Sequence, residues 1–146
     1  MHGAAHWMRV RKNGLVLSER TGANRTVIEL FSVFHDSCRH NDYQDSEHGY
    51  RGAQLARNFY QRGLLPCNQE ELEQLVEACM GHTFDLTHPD ITVATCWDAD
   101  RLDLPRCFIE VDPKRLATEE AKDPVLIAWA ADNAHSWLQK LNCTRA

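Results

Sequence analysis

Hydrophobic and polar residues follow one another along this chain mostly with the period of a helix. Between Ala4 and Glu19, the residues Trp7, Val10, Gly14 and Leu17 recur at alternating three- and four-residue spacing, which is one face of an amphipathic helix with His6 at its border. Gly22-Ala23-Asn24 breaks the pattern, and Asn24 or Thr26 can cap a second helix through Val27, Ile28, Leu30, Phe31, Val33 and Phe34. That apolar run ends on His35-Asp36, so both residues are expected in a helix's last turn. Residues 39–47 are polar and read as a loop, with Ser46 as the expected N-cap of a third helix. His48 falls in its first turn, and Ala53, Leu55, Ala56, Phe59 and Tyr60 face the core until Gly63 and Pro66 end it. Asn68 followed by Glu71 is a capping-box pattern for a fourth helix, whose stripe is Leu72, Leu75, Val76 and Cys79, with His82 one turn beyond.

The stretch Ile91 to Leu104 is ambiguous. Thr92-Val93-Ala94-Thr95 is rich in β-branched residues, yet Val93, Cys96 or Trp97, Asp100 and Leu104 keep helical period, and no second strand offers a partner. A helix is therefore predicted. Pro105 and Pro113 punctuate an irregular segment, and a last helix from about 124 to 141 is apolar over Val125, Leu126, Ile127, Trp129, Ala130, Trp137 and Leu138. The sum is an all-α bundle of about six helices with short connections.

Size and composition limit what such a bundle can be. With 146 residues, 43% of them hydrophobic, the chain suits one domain spanning 1–146, a core of about 4–104 with the C-terminal helix packed on it. The net charge is -5 and basic residues are dispersed, which argues against a large nucleic-acid partner. The start of the sequence lacks a secretory pattern and no run reaches membrane-span length, so a soluble, cytoplasmic protein is expected, with no membrane partner. The six cysteines, Cys38, Cys67, Cys79, Cys96, Cys107 and Cys143, are irregularly spaced with no CxxC, and are expected as reduced thiols, several of them packed in the core.

Polar residues on the predicted core faces and helix ends carry the chemistry. His6, His35, Asp36, His48, His82 and Asp100 come from five different helices, the origin expected when side chains converge on a site inside a bundle. Imidazole with carboxylate and without thiolate suits iron, manganese, zinc, cobalt or nickel. Adjacent residues on a helix point about 100° apart, so His35 and Asp36 can share an ion only near the helix end. His2, His40, His88 and His135 are read as caps or hydrogen-bonded histidines, although His2 stands one turn before His6. Asp98 and Asp103 are read equally as partners orienting Arg101 or a histidine ring and as solvated charges. The four tryptophans are expected mostly in the core, with Trp97 able to line a pocket.

Three motifs in order resemble a known family. His6-Trp7-Met8-Arg9-Val10 resembles the HxxRV opening of the HD-domain superfamily of metal-dependent phosphohydrolases, His35-Asp36-Ser37-Cys38-Arg39 its HD-x-x-[KR] motif, and Asp98-Ala99-Asp100-Arg101-Leu102-Asp103 its closing D-A-D-[KR]-L-D. The resemblance covers residues 6 to about 104. It implies an HD-like helical fold and metal ligands His6, His35, Asp36 and Asp100. The stretches 47–55 and 78–83 are similar to those bringing further histidines in binuclear members, which implies a second ion bridged by Asp36 and held by His48 and His82, or a phosphate contact from those two residues. A double histidine and a GYP signature, usual in the cyclic-dinucleotide branch, are absent.

One or two divalent ions would turn such a site toward hydrolysis of a small phosphorylated molecule, a nucleotide or another phosphoester, because a bound ion brings the pKa of its water from about 15.7 towards about 7. Arg9, Arg39, Arg51 and Arg101 are the candidate phosphate contacts, Arg39 first because the resemblance places a basic residue there. Asp42, Asp45 and Glu47, in the loop beside the site, are candidate general acids. The competing expectation is a metal-binding module of the same fold that senses or scaffolds without turnover.

Overall fold

The computed structural model describes residues 3–143, with side chains described through residue 137. Its helices are α1 (Ala4–Thr21), α2 (Arg25–Ser37), α3 (His48–Gln61), α4 (Gln69–Gly81), α5 (Ile91–Arg101) and α6 (Pro124–Cys143). Three short 3-10 turns, Leu104–Cys107, Pro113–Arg115 and Glu120–Lys122, lie between α5 and α6, and the described residues contain no strand. Helix starts and stops follow local chemistry. Gly22 closes α1 in the left-handed region at φ 77°, and the Asn24 side chain accepts from the Thr26 and Val27 N–H groups to open α2. Asn68 and Glu71 form the expected reciprocal box on α4, and Asp90 caps α5 through Thr92 and Val93.

Helix α2 is the hub, packing on α1, α3, α4 and α5. Its Val27, Ile28, Phe31 and Phe34 meet Val10, Ala53, Ala56, Leu72, Leu75, Val76, Val93 and Trp97 in the main core. Small residues allow the close approach. A Cβ on Gly14 would lie 2.5 Å from Ile28, and one on Gly52 would lie 2.2 Å from the Phe34 carbonyl oxygen. The glycine on α3 thus lets that helix rest against the very end of α2, where His35 and Asp36 stand. A second core, made by Leu17, Leu102, Val111, Leu116, Ala121, Leu126 and Ala130, fastens α6 and the 104–122 segment to the bundle.

The differences from the sequence pattern have physical reasons. The buried face of α1 is His6, Val10, Asn13, Gly14 and Leu17, so His6 lies on it rather than at its border, and Trp7 is only half-buried. Ser46 does not cap α3. The helix begins after Glu47 with no side-chain cap, and the Asp45 carbonyl takes the His48 N–H instead. Residues 92–99 of α5 are all buried, and a helix enclosed on every side has no polar stripe to display its period, which is why that stretch also read as a strand. On α6 the covered residues are Leu126, Ala130 and Ala134, while Val125 is 74% exposed. Met1, His2 and residues 144–146 lie outside the described residues, as do the side chains of Leu138, Leu141 and Cys143. Cys38, Cys67, Cys79 and Cys96 are free thiols, with Cys79 and Cys96 buried. No helix among the described residues is long and apolar enough to cross a membrane.

Candidate metal centre

Four imidazoles from four helices meet around one carboxylate. His6 (α1), His35 and Asp36 (α2), His48 (start of α3) and His82 (end of α4) are all buried. Asp36 Oδ2 lies 3.5 Å from His6 Nε2 and 3.7 Å from His35 Nε2. Its Oδ1 lies 3.2 Å from His48 Nε2 and 3.8 Å from His82 Nε2. One carboxylate thus offers a different oxygen to each of two histidine pairs, and each triad brings its donor atoms within 4.8 Å of one another. Asp100, on α5, approaches the first pair with Oδ1 3.3 Å from His6 Nε2 and 3.8 Å from His35 Nε2.

Every one of these rings is aimed by its other nitrogen. His6 Nδ1 donates to Asp103 Oδ2 at 2.7 Å, and His35 Nδ1 to the Phe31 carbonyl at 2.9 Å. His82 Nδ1 donates to the Cys79 carbonyl at 2.7 Å, and His48 Nδ1 to that of Asp45. With Nδ1 donating outward, the neutral ring turns an Nε2 lone pair inward, the tautomer a metal ligand needs. The inward nitrogens then face one another, His6 and His35 at 3.1 Å and His48 and His82 at 2.9 Å. Two lone pairs at that separation repel unless a proton or a cation stands between them. In the protein alone a proton serves: burial opposes charge on His6, but hydrogen bonds to Asp100, Asp103 and Asp36 prevail and raise its pKa to about 10. Burial instead lowers His35 to about 4, and neighbouring imidazoles hold Asp100 well below the usual carboxylate range despite its burial. The surrounding carboxylates thus favour a cation at His6, while burial favours a neutral ring at His35.

The closing hexapeptide does four separate jobs. Asp100 faces the histidines, and Asp103 orients His6 while being gripped by Arg9, Nε to Oδ1 at 2.6 Å and Nη2 to Oδ2 at 3.0 Å. Asp98 accepts from the Ala117 N–H, the Thr118 N–H and the Thr118 hydroxyl at 2.6, 2.8 and 2.7 Å. Arg101 donates to the carbonyls of Leu86 and Arg115, at 3.0 and 3.1 Å, and to that of Asp85. Asp98 and Arg101 therefore tie the loops on both sides of the mouth to the helical turn that carries Asp100.

Two residues expected at the substrate are paired with carboxylates. Arg9 is committed to Asp103, and Arg51 is committed to Asp45 at 2.6 and 2.5 Å and to the Cys38 carbonyl. The pairing with Arg51 and the His40 N–H hold the Asp45 carboxyl down to about 2. Arg101 lines the cavity beside the centre, with its guanidinium donating to carbonyls of the loops at the mouth. Arg39 is placed as expected, with Nη1 3.5 Å from Asp36 Oδ1 and donating to His48 Nε2 at 3.1 Å, and with its head held by the Asn41 and Tyr43 carbonyls. Asp42 shares a hollow with Asp36 and Arg39, and Glu47 lies exposed before α3. His88 pairs with Glu77 at 3.2 Å and packs edge-on against Trp97, and His135 is exposed, as expected for residues outside the site.

The sequence pattern missed Thr83, Arg106 and Arg115, which line the cavity next to the centre. They stand in irregular segments, where no period marks a face. The donor set, all imidazole nitrogen and carboxylate oxygen in a buried cluster, could hold a metal ion. Comparison of the chain with protein-family models, with curated proteins and with solved structures finds no match in any of the three.

Proposed function

We propose that this protein is a metal-dependent phosphohydrolase of HD type, acting on a small phosphorylated substrate with two divalent ions bridged by Asp36. The observation that carries the reading is the division of Asp36: Oδ2 toward His6 and His35, Oδ1 toward His48 and His82, every ring pinned from outside by Nδ1. The order of the HD-like motifs supports the same conclusion. His6, His35, Asp36 and Asp100 would hold one ion, and Asp36, His48 and His82 the other. Divalent ions held by these residues would supply a hydroxide nucleophile near neutral pH and polarise a phosphoryl oxygen.

The chain's own groups do the rest. Arg39 stands at the rim with its guanidinium fixed by two carbonyls, so it can bind a phosphate oxygen without losing much freedom. Asp42, in the hollow shared with Asp36 and Arg39, is the candidate to protonate the leaving oxygen, whereas Asp45 is paired with Arg51. A metal-binding module without turnover is the alternative, but the cavity of about 440 Å³ that opens onto Asp36, Asp100 and His82 favours the hydrolase.

The test is turnover. Metal-stripped protein reloaded with manganese, iron, cobalt, nickel or zinc should release inorganic phosphate from at least one phosphoester, and Asp36→Ala should abolish this together with metal retention. Metal-loaded protein inert on a broad phosphoester panel would overturn the hydrolase, and Asp36→Ala with full metal content would overturn the bridging role.

A further inference from the structure

The cavity beside the centre has two unlike ends. At one end stand Asp36, Asp100 and His82, with Arg39 and Thr83 beside them. The other end is the 104–116 segment, which presents Leu104, Ile109, Val111 and Leu116. Arg115 stands there against Glu110 and Asp112, while the two other arginines of the lining are held by the scaffold, Arg106 by the Asp103 carboxylate at 3.7 Å and the Asp103 carbonyl and Arg101 by the Leu86 and Arg115 carbonyls, so nothing there asks for a second anionic group. Val111 and Leu116 are rooted in the second hydrophobic core, and Asp98 and Arg101 tie residues 115, 117 and 118 to α5. The wall is thus fixed to the same helical turn that aims Asp100 at the histidines. Its volume of about 440 Å³ is small for a ligand pocket.

We infer that this cavity is a leaving-group pocket, and that the protein selects a phosphate monoester whose other half is compact, uncharged and apolar or aromatic, seated on Leu104, Ile109, Val111 and Leu116. The inference rests on reading the histidine centre as the phosphate-binding end. An apolar wall pinned rigidly at a fixed distance from the metal end loses no ordering free energy when it takes such a body, and each apolar contact that leaves water adds affinity. A strongly polar or doubly charged leaving group would lose water there without gaining partners.

The experiment separates the pocket from the chemistry. Manganese-loaded protein is titrated calorimetrically with phenylphosphonate and with methylphosphonate, non-hydrolysable probes that share a head and differ in body. Phenylphosphonate is expected to bind at least about tenfold more tightly. Ile109 is 51% exposed, so Ile109→Asn should fold, and it should reduce that preference at least about threefold while leaving methylphosphonate affinity unchanged. Leu104→Asn, in the same wall, should act in the same direction. Equal affinity for the two probes, or a preference untouched by both variants, overturns the pocket. Turnover of phenyl phosphate is read separately. Preference without turnover by any metal form keeps the pocket and overturns the hydrolase, turnover without preference does the reverse, and binding of neither phosphonate overturns both.

Discussion

Replacing Asp103 by Asn tests the aiming of His6 with almost no change of shape. Asp103 is 1% exposed and receives His6 Nδ1 at 2.7 Å and Arg9 Nε and Nη2 at 2.6 and 3.0 Å. The Arg9 side chain is 11% exposed, so neutralising its partner leaves a largely buried cation facing an amide. Breaking a buried pair from one side costs about 3–5 kcal/mol, and because the Asn oxygen still accepts one bond we expect about 2–4 kcal/mol in chelator-treated protein. Loss of the carboxylate behind a ligand imidazole should also weaken metal binding about 10- to 100-fold. At a fixed metal concentration well above both dissociation constants, that adds a further loss of about 1.4–2.7 kcal/mol. Urea unfolding of wild type and variant, with chelator and then with manganese, reads both parts. Arg9→Met combined with Asp103→Leu should recover part of the chelator-treated loss, since Arg9 is gone while Arg106, 3.7 Å from Asp103 Oδ2, still loses its carboxylate, but none of the metal affinity. A loss under about 1 kcal/mol in chelator with unchanged metal affinity would refute the role given to Asp103.

Other consequences follow from the packing and the caps. Gly52→Ala drives a methyl into the Phe34 carbonyl, 2.2 Å from the new Cβ, and should cost about 1–3 kcal/mol in urea unfolding while lowering metal content, because α3 must back away from the end of α2. Asp90→Ala removes the cap of α5 and should cost about 1 kcal/mol at pH 7 by the same assay. Burial opposes the charge of Asp90, but hydrogen bonds from Gln74, Val93 and Thr92 outweigh it and depress its pKa. The ionised form therefore contributes stability above the unfolded-state value of about 3.9, and this is lost as pH falls through the lower folded value. Asp90→Asn should keep the cap and flatten that part of the acid limb in a pH series of thermal melts. Arg101→Met should loosen both loops at the mouth and raise hydrogen exchange at residues 85–86 and 115–118, with smaller changes in α2.

The helices and most of the centre were legible because their causes are local. Asn24, Asn68 and Asp90 cap by rules that act over three residues, and the apolar stripe of α2 places His35 and Asp36 in its last turn. Three of the four Nδ1 anchors are local as well, reaching a carbonyl three or four residues back, at Phe31, Asp45 and Cys79. The fourth was not, since Asp103 and His6 are 97 residues apart and nothing in either neighbourhood chooses a histidine over a solvated charge. The carboxylate partners of Arg9 and Arg51 were hidden for the same reason. A guanidinium three residues after a ligand suits a phosphate or a carboxylate equally, and only the fold brings Asp103 and Asp45 to them. The wall at 104–116 carries no periodicity and was invisible as a pocket. Its shape comes from tethers to Asp98 and Arg101 on α5, which join residues far apart in the chain.

Metal stoichiometry tests the central claim most directly. Protein stripped with chelator, reloaded with manganese or iron and desalted should carry two ions per chain by elemental analysis, His82→Asn should carry one, and Asp36→Ala close to none. A single ion in wild type, unchanged by His82→Asn, would contradict an Asp36-bridged pair of sites, and a wild type that retains no ion after loading would contradict the metal centre itself.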